Sequence, residues 1–211
     1  MRAIALWNEI AASLRRPYRV TFPMVLLVSL VPLYIFIAEW NAGRTMHAPA
    51  LALDRSIPLQ PAWALVYGAL YFFLIVVPVL VIREEEQIRR TVFAYLFIWI
   101  TAYVFFLLYP TVAPRPPAIV GDGFAVTGLR FLYGADPPYN CFPSLHVAHS
   151  FVSALACLRV HRGLGVFTLV CAALVGLSTL FTKQHYVLDV IAGIVLAGIA
   201  YALFLRTPDH F

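Results

Sequence analysis

Six stretches of this chain are apolar over lengths that suit a bilayer crossing, and that repetition limits the fold more than any other feature. Residues 20–38, 62–82, 91–109, 163–181 and 186–205 each match the roughly 20 residues that one helical crossing needs. Residues 144–160 are shorter and begin with polar side chains, but about 17 residues still suffice. Pro23, Pro32 and Pro78 lie inside these runs, where proline kinks a membrane helix rather than ending it. Composition agrees: the chain is 62% hydrophobic and 12% charged, against about half and about a quarter in a soluble domain. The expected fold is an all-α membrane protein, with six transmembrane helices in one bundle.

Residues 1–19 place Ala3, Ile4, Leu6, Trp7, Ile10, Ala11 and Leu14 at roughly helical spacing, with Arg15 and Arg16 near the end. This pattern predicts an amphipathic helix lying on the membrane surface. A signal peptide is the alternative, but the apolar run that follows is long and lacks a small-x-small cleavage site. No solenoid-period repeat or low-complexity tract occurs. The expected division is therefore an N-terminal helix, 1–19, and a single six-helix catalytic domain, 20–211.

Six crossings place both termini and the even loops on one side. That side holds Arg2, Arg15, Arg16, Arg19, Arg83, Arg89, Arg90, Arg159, Arg162 and Arg206, whereas the other holds Arg44, Arg55, Arg115, Arg130 and Lys183. The excess predicts cytoplasmic termini, so residues 110–143 and 182–189 face outward from a bacterial-type inner membrane. The net charge of +5 is modest, and no basic cluster interleaves with exposed aromatics, which excludes nucleic-acid binding. Cys141, Cys157 and Cys171 are odd in number and lack Cys-x-x-Cys spacing, so they form no metal or redox motif. Cys157 and Cys171 read as small residues of apolar runs, and Cys141 takes a structural role by default.

Three polar islands interrupt the apolar pattern on the outward side. The first, residues 109–117, carries Arg115 among prolines; a guanidinium is a permanently charged fork suited to phosphate, or an anchor to lipid headgroups. The second, residues 141–150, sets Pro143-Ser144 at the start of an apolar run. That is a helix N-terminus, whose free N–H groups make a ready anion site. His146 falls in the first turn beside that anion. His149 lies one turn deeper on a neighbouring face and reads first as a satisfied polar residue of the bundle, with a site role as the alternative.

The third island, Thr182-Lys183-Gln184-His185-Tyr186-Val187-Leu188-Asp189, sits between two long apolar runs, and ionisable groups at bilayer depth are functional by default. His185 and Asp189 are i and i+4, stacked on one face if the segment is helical. The inventory suits phosphoryl transfer, which is mostly positioning and charge neutralisation. Asp189 would take the Nδ1 proton of His185 and leave Nε2 free to attack phosphorus. His146 would protonate the leaving oxygen and then act as base for the acceptor. Arg115, Lys183, Ser144 and the N–H groups of the helix would hold the phosphoryl oxygens. The long segment 110–143, with seven prolines, is expected to be extended and turned; Phe124, Leu129, Phe131, Leu132 and Tyr133 argue that it packs.

Arg115-Pro116, Pro143-Ser144-x-His146, and Ser178 followed by His185-x3-Asp189 together resemble the three motifs of the type-2 phosphatidic acid phosphatase superfamily. The resemblance covers roughly residues 109–193 and implies a six-helix bundle. It also implies a His185 nucleophile forming a phosphohistidine, His146 as general acid, Asp189 as orienter of His185, and neither metal nor cofactor. Three positions depart from the pattern: Leu108 replaces the first-motif lysine, Leu145 a glycine, and Thr179 an arginine, with Lys183 as a nearby cation. Phe142–His146 and His185–Asp189 look like the inositol phosphorylceramide synthase branch, which moves a phospho-headgroup to an alcohol.

The expected function is thus a membrane-embedded lipid phosphatase or phosphotransferase. Its substrate is a phospholipid or lipid phosphate and its acceptor is water or a lipid alcohol of ceramide or diacylglycerol type. Two alternatives use the same residues. One is a non-catalytic or transport protein for anionic lipids. The other is a metal-dependent hydrolase with His146, His149, His185 and Asp189 as ligands, disfavoured because Arg115 and Lys183 would repel the cation.

Overall fold

The computed structural model describes residues 17–206. Its helices are α1 (Pro17–Asn41), α2 (Ala52–Ser56), α3 (Trp63–Val81), α4 (Glu85–Leu108), α5 (Phe124–Ala135), α6 (Leu145–Val160), α7 (Arg162–Phe181) and α8 (Val187–Ala200), which continues as a π-helical turn, Tyr201–Leu205. Extended pairing among the described residues is limited to two bridges, His47 with Thr111 and Val112 with Tyr139. The fold is all-helical, as expected. The amphipathic helix expected over residues 1–19 lies outside the described residues except for Pro17, Tyr18 and Arg19, which belong to α1.

Four helices are long and apolar enough to cross a membrane, Trp63–Val81, Glu85–Leu108, Arg162–Phe181 and Val187–Leu205, the mark of an integral membrane protein. They carry the second, third, fifth and sixth expected crossings. Phe72, Ile100, Val170 and Val195 are more than half exposed on them, where a helix in water would present charge. Helix α4 starts earlier than its apolar run because Glu86 pairs with Arg89 and Arg90 one turn on, and such pairs support a helical start.

The first and fourth expected crossings differ. Val28–Asn41 and Leu145–Val160 are apolar helical stretches shorter than the other four. Helix α6 rises only about 24 Å, less than the roughly 30 Å of a hydrocarbon core. Its surroundings explain the short length: α3, α4, α7 and α8 all pack on it, and Val147, Ala148, Val152, Ala154, Ala156 and Cys157 are wholly buried. A helix ringed by protein has no lipid thickness to match. Helix α6 also joins the two cores. Val152 belongs to the core that includes Ile98 and Phe106 of α4, while Ala154 belongs to the one that includes Leu74 of α3 and Val175 of α7. The α6–α7 hairpin is tight enough that a Cβ on Gly165 would fall 2.2 Å from Leu158 Cα, so only glycine fits.

The segment 110–143 is not extended throughout. It contains α5, a 12-residue helix in its proline-free middle, packed against α3 through Gly128 and Leu65. The C-terminal ends of α1, α4 and α7 and the N-terminal ends of α3, α6 and α8 gather at one end of the bundle. Asn41 Nδ2 reaches Phe106 O, Gln60 N reaches Phe181 O, and Ser144 N reaches Asp189 O. All three polar islands lie there.

Candidate functional site

The His185 turn is built by the end of α7. Thr182 closes that helix with its hydroxyl on Ser178 O (2.7 Å), and Lys183 turns the chain at φ 55°, a left-handed conformation that often ends helices. Gln184 N and His185 N then return to Thr179 O at 2.9 and 3.3 Å. Helix α8 starts at once, and Asp189 accepts from Tyr186 N at 2.8 Å. This places Asp189 Oδ2 3.4 Å from His185 Nδ1, an ion-pair distance rather than an aligned hydrogen bond. Both side chains are buried.

His146 enters from α6. Ser144 is the N-cap, its hydroxyl accepting from Val147 N at 3.3 Å. His146 therefore lies in the first turn, its Nδ1 3.3 Å from His185 Nε2. The rings of Tyr67 and Tyr71, one turn apart on α3, meet the His146 ring edge-on at 5.4 and 5.0 Å between centroids. Close approach of α8 to this turn depends on Gly193, where a Cβ would lie 2.6 Å from Ser144 O.

Arg115 is held on three sides. Ala113 N bonds Pro138 O at 2.7 Å, fixing the strand-like approach. The guanidinium lies 4.4 Å above the Tyr133 ring and donates to Tyr133 O at 3.2 Å and to Gln184 Oε1. Its Nε and Gln184 Nε2 are buried polar atoms without a protein partner, which leaves unfilled donors beside the two imidazoles. Asp136 Oδ2 stands 3.9 Å from Arg115 Nη2 and 4.0 Å from His146 Nε2. Burial pushes the Tyr133 phenol up to about 12, so it stays neutral and donates to Thr182 O at 2.7 Å.

Arg115, His146, His185 and Asp189 thus share one site, with Ser144 capping the helix behind it. Lys183 is directed elsewhere: Nζ donates to Asp54 O at 3.1 Å and Ile57 O at 2.6 Å. His149 lies deeper, stacked on Tyr95 at 4.5 Å, its Nδ1 without a protein partner. Thr179, at the departing motif position, turns its hydroxyl to Gly176 O of its own helix. Among the described residues, no three His, Cys, Asp or Glu side chains are grouped so as to hold a metal ion.

With this geometry in place, comparison with known proteins decides the family. The model of the PAP2 superfamily matches residues 33–203, more than half of the chain and all of the site. The chain belongs to the PAP2 superfamily. A PA-phosphatase related-family protein of Dictyostelium discoideum is 26% identical over 132 residues, covering 54% of this chain and 23% of that protein. An uncharacterized protein of Methanocaldococcus jannaschii is 30% identical over 95 residues, 45% of this chain and 39% of its own length. The chain thus matches well under half the length of either relative. No solved structure matches.

Sequence reasoning passed over several polar groups around this PAP2 site. Gln184 is adjacent to His185 in sequence and carries no motif of its own. Asp136 stands between α5 and Pro137 in the long outer segment. Asp54 of α2 accepts from Val187 N at 2.9 Å and Leu51 N at 2.7 Å, holding the outer loop on the first turn of α8. An acidic residue beside Pro-Pro was the one available signal for Asp136.

Proposed function

We propose that this PAP2-superfamily chain is a membrane-embedded lipid phosphatase or phosphotransferase that works through a phosphohistidine on His185. The observation that carries the reading is the facing pair of imidazole nitrogens, His185 Nε2 and His146 Nδ1 at 3.3 Å, with Asp189 on the far nitrogen of His185. Asp189 orients His185 and offsets the imidazolium charge of the phosphoenzyme. His146 gives a proton to the leaving oxygen and later removes one from the acceptor. The rings part to admit the phosphoryl group.

Arg115 and the first-turn N–H groups of α6, capped by Ser144, hold the phosphoryl oxygens. Lys183 contributes positive charge to the same turn while its ammonium holds the outer loop, so direct neutralisation rests mainly on Arg115. His149 is a secondary candidate one turn below His146. The bundle is proposed as one catalytic domain in which α1 and α6 complete six crossings. Termini are cytoplasmic, and the site lies on the outer face of a bacterial-type inner membrane.

The substrate is a phospholipid or lipid phosphate, and water or a lipid alcohol receives the phosphoryl group. The resemblance of Phe142–His146 and His185–Asp189 to inositol phosphorylceramide synthases, with Leu108 and Thr179 in place of two family cations, supports a phosphodiester donor and transfer to an alcohol. A monoanionic diester asks less positive charge of the site than a dianionic monoester. The Dictyostelium relative is a PA-phosphatase related-family protein, which supports phosphatase chemistry. Labelled lipids should leave acid-labile phosphate on the protein, and His185→Gln should abolish it. Labelling that survives in that variant would sink the mechanism. Adding ceramide or diacylglycerol then separates the acceptors, because a new labelled lipid forms only if an alcohol competes with water.

A further inference from the structure

Asp136 follows the last residue of α5 and reaches into the site from the segment above it. One carboxylate oxygen, Oδ1, accepts from the Tyr34 hydroxyl at 2.8 Å. The other lies 4.0 Å from His146 Nε2 and 3.9 Å from Arg115 Nη2. The His146 and Asp136 side chains are each only 16% exposed, so this contact is shielded from water.

The proton positions follow from what each nitrogen faces. His185 turns Nδ1 to the Asp189 carboxylate, which can only accept, so that nitrogen carries hydrogen. A neutral His185 ring then has a lone pair at Nε2. The nitrogen opposite, His146 Nδ1, must donate, or two lone pairs would meet at 3.3 Å. His146 Nε2 in turn faces the acceptor-only Asp136. The two imidazoles form a row closed at both ends by carboxylates.

We propose that Asp136 is a positioning residue for the general acid. Its charge, 4.0 Å from Nε2, orients the His146 ring so that the hydrogen on Nδ1 is aimed at the departing oxygen. This rests on the reading of His146 and His185 given above. In the step concerned, the bond from His185 Nε2 to phosphorus forms and the ester P–O bond breaks. His146 enters this step protonated on both nitrogens. Its Nδ1 proton goes to the released alkoxide, which leaves as the alcohol, and the ring is left neutral with its hydrogen on Nε2. Asp136 keeps its charge opposite the ring, and Tyr34 fixes the carboxylate from behind.

The test uses the full chain in lipid nanodiscs with two esters of the same phosphate, p-nitrophenyl phosphate and octyl phosphate. A nitrophenolate leaves without help, whereas an alkoxide needs the proton. Asp136→Asn should lower the single-turnover rate of alcohol release from octyl phosphate about a hundredfold, within the span of general-acid contributions, and change that of nitrophenolate release less than about threefold. The later step, in which His146 acts as base, is common to both esters. Asp136→Glu should recover part of the octyl activity. Equal falls on both esters, or a change in KM alone, would overturn the proposal in favour of a structural or Arg115-directed role.

Should Asp136→Asn fail to accumulate, Tyr34→Phe releases only Oδ1 and must give the same split in weaker form. If the unaltered chain turns over neither ester, the proposed activity has failed, and imidazole nitrogen NMR of the histidine-labelled chain decides the point alone. Asp136→Asn must then alter the proton pattern of the His146 nitrogens and leave His185 unchanged. An unaltered His146 overturns the proposal.

Discussion

Arg115 and Lys183 are both cations of the outer end, but the fold uses them differently. Arg115 stacks on Tyr133 and presents its fork to Gln184 and Tyr133 O, leaving Nε inward and unpartnered. A lysine has neither the plane nor the fork. Losing one charge-assisted hydrogen bond costs about 1.5–3 kcal/mol, so Arg115→Lys should lower kcat/KM on a lipid phosphate roughly tenfold to a hundredfold. Lys183 spends its ammonium on two carbonyls of the α2 loop. Lys183→Met should therefore lower the thermal midpoint in detergent more clearly than it lowers kcat/KM; the opposite ranking would return Lys183 to the phosphate. The contrast also shows what was legible in the sequence. His185 and Asp189 meet because they are four apart on one chain, and Ser144 caps because it precedes its helix. Those relations are local and can be read from spacing. Asp136 and His146 meet through the turn of the proline-rich segment 137–144, and Lys183 meets Asp54 across more than a hundred residues. No spacing encodes either contact.

Among the helices, the decisive crossing is α8 against the first turn of α6. Gly193 and Gly198 are both glycines of α8. The structure separates them: a Cβ on Gly193 would lie 2.6 Å from Ser144 O and 3.1 Å from Val147 Cβ, whereas one on Gly198 meets nothing within 4 Å. Gly193→Ala must push α8 off the turn that carries His146, a strain of about 1–3 kcal/mol, and should weaken activity along with the thermal midpoint. Gly198→Ala should be neutral or stabilising by up to about 1 kcal/mol. Equal behaviour of the two in thermal unfolding would refute the close crossing. The long apolar runs made α3, α4, α7 and α8 legible, since lipid imposes length and composition on them. Helix α6 has a protein environment on every side and is free to be shorter. Helix α5 was hidden by its surroundings in sequence, where prolines before and after it suggested extended chain. Its own residues contain none, and a free stretch of that length can form helix.

Across the molecule, the charge distribution bears on how the bundle sits in the membrane. Cations at the end away from the site cluster at the helix turns, with Arg83, Arg89 and Arg90 around α3–α4 and Arg159 and Arg162 around α6–α7. At the site end several cations are bound locally. Arg44 donates to Asn41 Oδ1 and Leu107 O, Arg130 to Ile119 O and Gly121 O, and Lys183 to the α2 loop. A guanidinium satisfied by backbone acceptors at its own end has a structural reason to be there, so those residues weigh less against the positive-inside bias. The proposed orientation then gives a direct test. Val120 is 90% exposed near the site, and Glu84 is exposed at the opposite end. The native chain is a quiet background because Cys141, Cys157 and Cys171 are all buried. Burial and the carboxylates of Asp189 and Asp136 also push the Cys141 thiol up, away from the reactive thiolate. On intact cells, a membrane-impermeant maleimide should label Val120→Cys, leave Glu84→Cys unlabelled until the membrane is opened, and leave the native chain unlabelled throughout. Labelling of Glu84→Cys alone would invert the bundle and put the site in the cytoplasm, where it would meet a different leaflet and a different pool of lipid donors.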